Sequence, residues 1–260
     1  MKKRKTAFIV FYAALVAISA AGYILCVEFV KDEALSSYVK DGIVRILCCA
    51  ALIPTIKKLG YDTLGFKGIT LKSLLAVLPV FLVAVNNFPF IPFFKGETEI
   101  TRPDLIVPFI FGCVFTALFE ELIFRGLFFP WCLGYTGAKN KASVMKALLI
   151  SSAVFGLMHL LNIFSSSPAA VAMQVLYTFL FGGAMCFVML ETRCVWICVI
   201  MHAVYNFGGM LFREVGKGFV WGTSSVILTA VIAVFCAAEI LLVFFRGKKD
   251  YTDFSLPEKE

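Results

Sequence analysis

Ionisable side chains stand inside three long apolar stretches of this chain. The two histidines of the sequence, His159 and His202, lie in two of these stretches, and the third contains Glu120, Glu121 and Arg125. Charged or polar groups are costly to keep at bilayer depth, so their presence there favours a functional site. Carboxylates and imidazoles are also the commonest general acids and bases in enzymes. The pattern therefore predicts a buried reaction centre.

The spacing within the acidic segment separates the two glutamates. In an α-helix, residues four apart share a face, whereas consecutive residues point about 100° apart. Glu121 is therefore predicted to pair with Arg125, a permanent cation that can hold a carboxylate, while Glu120 points elsewhere. The alternative is a purely structural ion network formed by all three side chains.

Each histidine is accompanied by an amide on its own helix. Asn162 lies one turn after His159, and Asn206 lies four residues after His202 on the same face. A single histidine in an apolar helix is more often a packing residue than a catalyst, but two of them change that balance. Together with Glu120, they offer a base, an orienting partner and hydrogen-bond donors for a developing oxyanion.

The depth of these groups in the membrane supports one shared site. With a rise of about 1.5 Å per residue, Glu120 lies roughly 15 Å, His202 roughly 12 Å and His159 roughly 18 Å from the predicted cytoplasmic helix ends. The three side chains thus fall at one level, between the inner interface and the midplane.

The composition is that of a membrane protein. Of the 260 residues, 60% are hydrophobic and 16% charged, and the mean hydropathy is +0.90. A helix needs about 20 mostly apolar residues to cross the hydrocarbon core. We therefore predict an all-α, multi-pass helical membrane protein with about eight spans and a site between helices 4, 5 and 7. The predicted spans are approximately 7–29, 43–57, 71–94, 104–129, 144–163, 169–190, 194–212 and 223–245, of which the second is short enough to be interfacial or re-entrant.

Loop charges predict the orientation of the chain. Most Lys and Arg residues fall in loops on the side of the N-terminus, so both termini are predicted to be cytoplasmic. The net charge of +7 fits contact with anionic lipid of the bilayer, and its spread over several loops gives no support for a nucleic-acid partner. Glu191 and Arg193 stand in a short cytoplasmic turn and are interpreted as solvated anchors. Nine cysteines, mostly within spans, do not suggest a disulfide framework.

Three segments resemble the motifs of a known family. Glu120 and Glu121 followed by Arg125, Phe155 followed by His159, and His202 followed by Asn206 match in order and spacing. The resemblance is to the CPBP family (CAAX protease and bacteriocin-processing, or Abi), which are intramembrane endopeptidases and include the type II CAAX prenyl endopeptidases. It covers residues 104–212, so the chain is interpreted as supporting helices (1–103), a catalytic core (104–212), and a last helix with a tail (213–260).

The resemblance implies a role for each motif residue. Glu120 and His159 would bind and activate the hydrolytic water, while His202 and Asn206 would stabilise the tetrahedral oxyanion. Glu121 and Arg125 would hold the fourth helix in register, and Phe155 and Asn162 would orient the site. Substrates would be membrane-associated peptides or proteins, including prenylated ones.

The resemblance leaves the part played by a metal open. Glu120, His159 and His202 form a plausible zinc set with an open water position. A purely glutamate-dependent mechanism is the alternative.

Two other functions remain as alternatives. The chain could be a non-catalytic membrane adaptor or immunity protein that keeps the family fold, although no motif position is degraded. It could also be a proton-coupled transporter, although inverted repeats and interrupted helix pairs are not apparent.

Overall fold

The computed structural model describes Ala17 and residues 32–218, 222–247 and 249–251. Helices account for most of this part of the chain. The α-helices are α1 (Glu33–Lys58), α2 (Leu71–Asn86), α3 (Phe90–Phe94), α4 (Ile106–Glu121), α5 (Phe129–Thr136), α6 (Lys141–Met158), α7 (Pro168–Thr192), α8 (Val195–Glu214) and α9 (Thr223–Arg246). Two 3-10 helices (Pro103–Leu105 and His159–Phe164), a π-helix (Leu122–Phe128) and two strands, β1 (Glu99–Ile100) and β2 (Gly216–Lys217), complete the described elements.

Within the part of the chain that the structure describes, five helical segments are long and apolar enough to cross a membrane. They are Pro103–Thr136, Lys141–Phe164, Pro168–Thr192, Val195–Glu214 and Thr223–Arg246. These segments correspond to the last five predicted spans and confirm an all-α, multi-pass membrane fold. The predicted first span, 7–29, lies outside the described residues, apart from Ala17, so the total of eight stays a prediction.

The predicted second and third spans have different bounds in the structure. Helix α1 begins at Glu33, ten residues before the predicted start, because Asp32 caps it by accepting a hydrogen bond from the Leu35 amide at 2.8 Å. The predicted helix 71–94 is wrong as one span, because α2 ends at Asn86 and α3 follows only at Phe90. Pro89 explains the break, since the residue before a proline is disfavoured in the α conformation.

Contacts divide the chain into two compact units. The first contains residues up to 59, 84–122 and 199–229, and the second contains 60–83, 123–198 and 230–260. All of the divisions except the one after residue 59 fall within helices, and they do not coincide with the domain limits predicted from the sequence, which stay a prediction.

The first unit is built around α4 and the second half of α8. Its buried core comprises Leu105, Phe109, Cys113, Leu211, Phe212 and Val215. The antiparallel pairing of β1 with β2 closes one end of the unit, with Glu99 opposite Lys217. At the start of α1, Arg102 lies 2.9 Å from the Asp32 carboxylate. The Leu35 amide and this guanidinium hold the pKa of Asp32 below its usual value.

The second unit depends on close packing of α6 against α7 through small residues. A side chain at Gly156 would approach the Val175 carbonyl oxygen to 3.0 Å, and one at Gly182 would approach the Phe155 ring to 3.1 Å. Small residues let membrane helices approach closely and gain van der Waals contact, because burial from water supplies no driving force within lipid.

The π-helix after α4 has an identifiable cause in the sequence. Pro130 has no N–H to donate to the carbonyl of Gly126, four residues earlier, and its ring crowds that carbonyl. The Gly126 oxygen instead accepts a hydrogen bond from the buried Thr63 hydroxyl at 3.1 Å. A wider helical turn and a partner from another segment thus satisfy the backbone where a regular α-helix would not.

Glu191 is not a solvated anchor, contrary to the sequence interpretation. It is buried and accepts hydrogen bonds from the Tyr251 hydroxyl and from Lys249, whose Nζ lies 3.1 Å from the carboxylate. Burial, together with this carboxylate, raises the pKa of Tyr251. The chain after α9 therefore folds back onto the end of α7.

All the cysteines that the structure describes are buried, and none of them forms a disulfide bond. They are Cys48, Cys49, Cys113, Cys132, Cys186, Cys194, Cys198 and Cys236. The remaining one of the nine cysteines in the sequence, Cys26, lies outside the described residues.

Candidate active site

The first unit joins Glu121 to His202. Glu121 is the last residue of α4 and is fully buried, and His202 on α8 is 4% exposed. The Nδ1 atom of His202 lies 2.7 Å from Oε1 of Glu121. Two buried ionisable groups thus satisfy each other in an apolar setting, as burial of charge requires. Sequence spacing pointed only to Arg125 as a partner of Glu121, because contacts between distant helices have no periodic signal.

Glu120 lies near the other nitrogen of the same imidazole. Its Oε2 atom is 3.8 Å from Nε2 of His202, and its side chain is 25% exposed. The two consecutive glutamates therefore differ in their surroundings. Glu121 is enclosed beside Nδ1 of His202, whereas Glu120 is partly accessible beside Nε2. Asn206 is half-buried one turn further along α8.

The chemistry of the Glu121–His202 pair follows from its proton count. A neutral imidazole that donates from Nδ1 to a carboxylate has an acceptor at Nε2. With one more proton in the pair, Nε2 becomes a donor, whether the inner proton resides on Glu121 or on Nδ1. In that form, Nε2–H of His202 can stabilise a developing negative charge.

Arg125 is enclosed in the second unit. It is fully buried and donates from Nη2 to the Gly182 carbonyl oxygen at 3.0 Å. Its guanidinium carbon lies 4.5 Å from the centroid of the Phe155 ring, within the range of a cation–π interaction. Gly182 was not among the predicted residues, and a glycine in an apolar helix was the only sequence signal for it.

His159 closes α6 and begins the following 3-10 helix. Its Nδ1 lies 2.9 Å from the Phe155 carbonyl oxygen, which can only accept, so Nδ1 carries the proton. In the neutral ring Nε2 is then the acceptor, which suits a general base. Asn162 donates to Gln174 on α7 at 2.8 Å. Gln174 was missed, although a lone glutamine in an apolar helix is the kind of residue that marks such a contact.

The predicted residues are distributed over both units. The first unit brings Glu120, Glu121 and His202 together, with Asn206 on the adjoining turn. The second places Arg125 beside Phe155 and fixes His159 and Asn162. The convergence of His159 with Glu120 stays a prediction.

The prediction of a metal centre can be compared with the clusters of possible ligands within the described residues. Among the described residues, no group of three His, Cys, Asp or Glu side chains is arranged to hold an ion. The interpretation of Glu120, His159 and His202 as zinc ligands therefore gains no support.

The fold and these buried groups define an integral membrane protein with a polar site among its helices. Residues 102–208 match the model of a family whose description is type II CAAX prenyl endopeptidase Rce1-like. Over this segment the chain is similar to that protease family, in agreement with the resemblance seen in the three motifs, all of which lie within it. No curated protein and no solved structure matches the chain significantly.

Proposed function

We propose that the protein is an intramembrane endopeptidase that hydrolyses a peptide bond with a water activated by Glu120 and His159. The observation that carries the proposal is the placement of Glu120 and Glu121 at the two nitrogens of His202, within a segment that matches a protease family. The partial exposure of Glu120 is what a residue that must reach water needs.

The reaction begins with a proton transfer. Glu120, assisted by Nε2 of His159, takes a proton from the water as its oxygen attacks the carbonyl carbon of the substrate. The carbonyl electron pair moves to oxygen, where Nε2–H of His202 and the Asn206 amide stabilise the negative charge. When the intermediate collapses, the C–N bond breaks, and the proton held by Glu120 passes to the leaving amine.

The remaining residues orient these groups. Glu121 keeps the His202 ring in one orientation, and the Phe155 carbonyl does the same for His159. Arg125 ties the π-helix to α7 through Gly182. None of these side chains has to exchange a proton with the substrate.

The substrate class follows from the family and the membrane setting. We propose a membrane-associated peptide or protein, prenylated or not, cleaved near the cytoplasmic half of the bilayer. A lipid anchor or an apolar segment would hold such a substrate at the depth of the site.

The decisive experiment is cleavage of membrane-tethered peptides by the purified full-length protein in liposomes. Removing a general acid–base group typically costs about 10²- to 10⁴-fold, so Glu120→Gln and His159→Ala should each lower kcat by at least about 100-fold. Glu239→Gln is the matched control, because Glu239 is also an acid within an apolar helix but lies on α9. Cleavage by Glu120→Gln or His159→Ala at the rate of the control would refute the proposal.

A further inference from the structure

The break between α2 and α3 lies directly against the helix that carries His202 and Asn206. Asn87, in this break, donates a hydrogen bond from Nδ2 to the carbonyl oxygen of Tyr205 at 2.7 Å. That carbonyl belongs to the peptide bond that joins Tyr205 to Asn206. The amide of Asn87 is thus bonded to the backbone at one of the proposed oxyanion residues.

Two consecutive glycines on α8 make this approach possible. A side chain on Gly208 would come within 2.7 Å of the Phe88 amide nitrogen, and one on Gly209 would overlap Nδ2 of Asn87. Glycine weakens a helix by about 1 kcal/mol relative to alanine. The pair in the middle of an apolar helix is accounted for by the close passage of residues 87 and 88.

The contact lies on the flank of the helix next to the proposed site. Each residue turns the helix by about 100°, so Tyr205 and Gly209 share a face that adjoins the face of His202 and Asn206. Further along, Phe88 packs against Phe212, with ring centroids 5.9 Å apart. The break is therefore fastened to α8 by one hydrogen bond near the site and by an aromatic contact beyond it.

We propose that Asn87 is a positioning residue that sets the axial and rotational placement of α8 so that Asn206 meets the oxyanion. This inference rests on the proposed function and adds a residue from outside the three motifs. Asn87 acts through the Tyr205 carbonyl and does not itself touch the substrate. Its loss should slow the chemical step and leave substrate binding nearly unchanged.

The neighbouring asparagine provides a matched control. Asn86 donates from Nδ2 to the Thr229 hydroxyl at 3.0 Å, and so bonds to α9. Asn86→Ala and Asn87→Ala remove the same chemical group from adjacent positions. Only the second removes a bond to α8.

The test compares kcat and KM for Asn87→Ala, Asn86→Ala, Asn206→Ala and the double variant Asn87→Ala/Asn206→Ala. We expect Asn87→Ala to lower kcat about tenfold with KM within twofold, and Asn86→Ala to keep kcat within twofold. If Asn87 acts through Asn206, the double variant should be no slower than Asn206→Ala alone, since coupled residues are not additive. A merely structural role would multiply the two losses.

A second variant separates positioning from folding. Asn87→Asp keeps the size of the side chain but replaces the donor with an acceptor facing the Tyr205 oxygen, so it should be at least as slow as Asn87→Ala. Thermal unfolding in detergent shows whether each variant is folded, and Asn87→Asp replaces Asn87→Ala throughout if the latter is not.

The outcomes distinguish this inference from the proposed function. Equal kcat for the Asn86 and Asn87 variants, or multiplied losses in the double variant, would overturn the positioning role of Asn87 but not the proposed function. Absence of cleavage by the wild-type protein would overturn both the inference and the function on which it rests.

Discussion

The side chain at position 121 contacts Nδ1 of His202 and therefore helps to determine which nitrogen of that imidazole carries a proton. An oxyanion donor at Nε2 requires a partner at Nδ1 that either shares a proton or donates one. A glutamine can donate its amide N–H to Nδ1, which leaves Nε2 protonated in a neutral ring.

We therefore expect Glu121→Gln to retain activity within about tenfold and Glu121→Ala to lose about 100-fold or more, because only the alanine removes the hydrogen-bonding group at Nδ1. Measurement of kcat for the wild type and both variants checks this expectation, and a glutamine variant as inactive as the alanine variant would assign His202 the role of an acceptor.

For single residues, the sequence pattern predicted which side chains would form a site, but it did not predict all of their contacts. Depth in the membrane predicted a shared site for Glu120, His159 and His202. The structure places Glu120 3.8 Å from His202, and the convergence of His159 with them stays a prediction. The contact between Glu121 and Nδ1 of His202 could not be predicted, because spacing along one helix carries no information about the neighbouring helix. Gln174 and Asn87 were missed for the same reason.

Among the elements, the π-helix at Leu122–Phe128 departs furthest from the regular pattern. The pairing of Glu121 with Arg125 was inferred from α-helical spacing and stays a prediction. The signal was present in Pro130, whose effect falls on the carbonyl four residues earlier. What the sequence did not provide was the hydroxyl of Thr63 as the replacement donor.

The exchange of a backbone donor for the Thr63 hydroxyl can be tested by a double-mutant cycle. Thr63→Val leaves the buried Gly126 carbonyl without this donor and should cost about 1–3 kcal/mol of stability. In a Pro130→Ala background the restored N–H offers that carbonyl a new partner, so Thr63→Val should cost clearly less. Unfolding by denaturant in mixed micelles measures the four free energies. Equal costs in both backgrounds would mean that Pro130 does not create the need for Thr63.

The protein as a whole was predictable in class and only partly in detail. Hydropathy found the five long spans because a 20-residue apolar run is a strong signal. It joined α2 and α3 into one span because the residues around Pro89 are as apolar as a helix interior. It also placed Glu191 in solvent, since a sequence cannot show that residues 249 and 251 return to cover it.

The orientation of the whole chain gives one further prediction. The distribution of Lys and Arg predicts that both termini lie in the cytoplasm. In a bacterial host, a green fluorescent protein joined after Glu260 should fluoresce, and alkaline phosphatase joined there should be inactive. A second pair of fusions, ended within the predicted outer loop at Ser166, should show the reverse. Active phosphatase at the C-terminus would contradict the assigned orientation.

The buried thiols have a practical consequence for spectroscopy. Since the eight described cysteines are buried, bulky maleimide dyes should not react with them in the folded protein. Replacing Cys26 alone would then give a background in which one cysteine, introduced at an exposed position such as Lys95 or Lys139, carries a fluorophore or spin label. Distances between labelled pairs could be followed during turnover without rebuilding the interior of the protein.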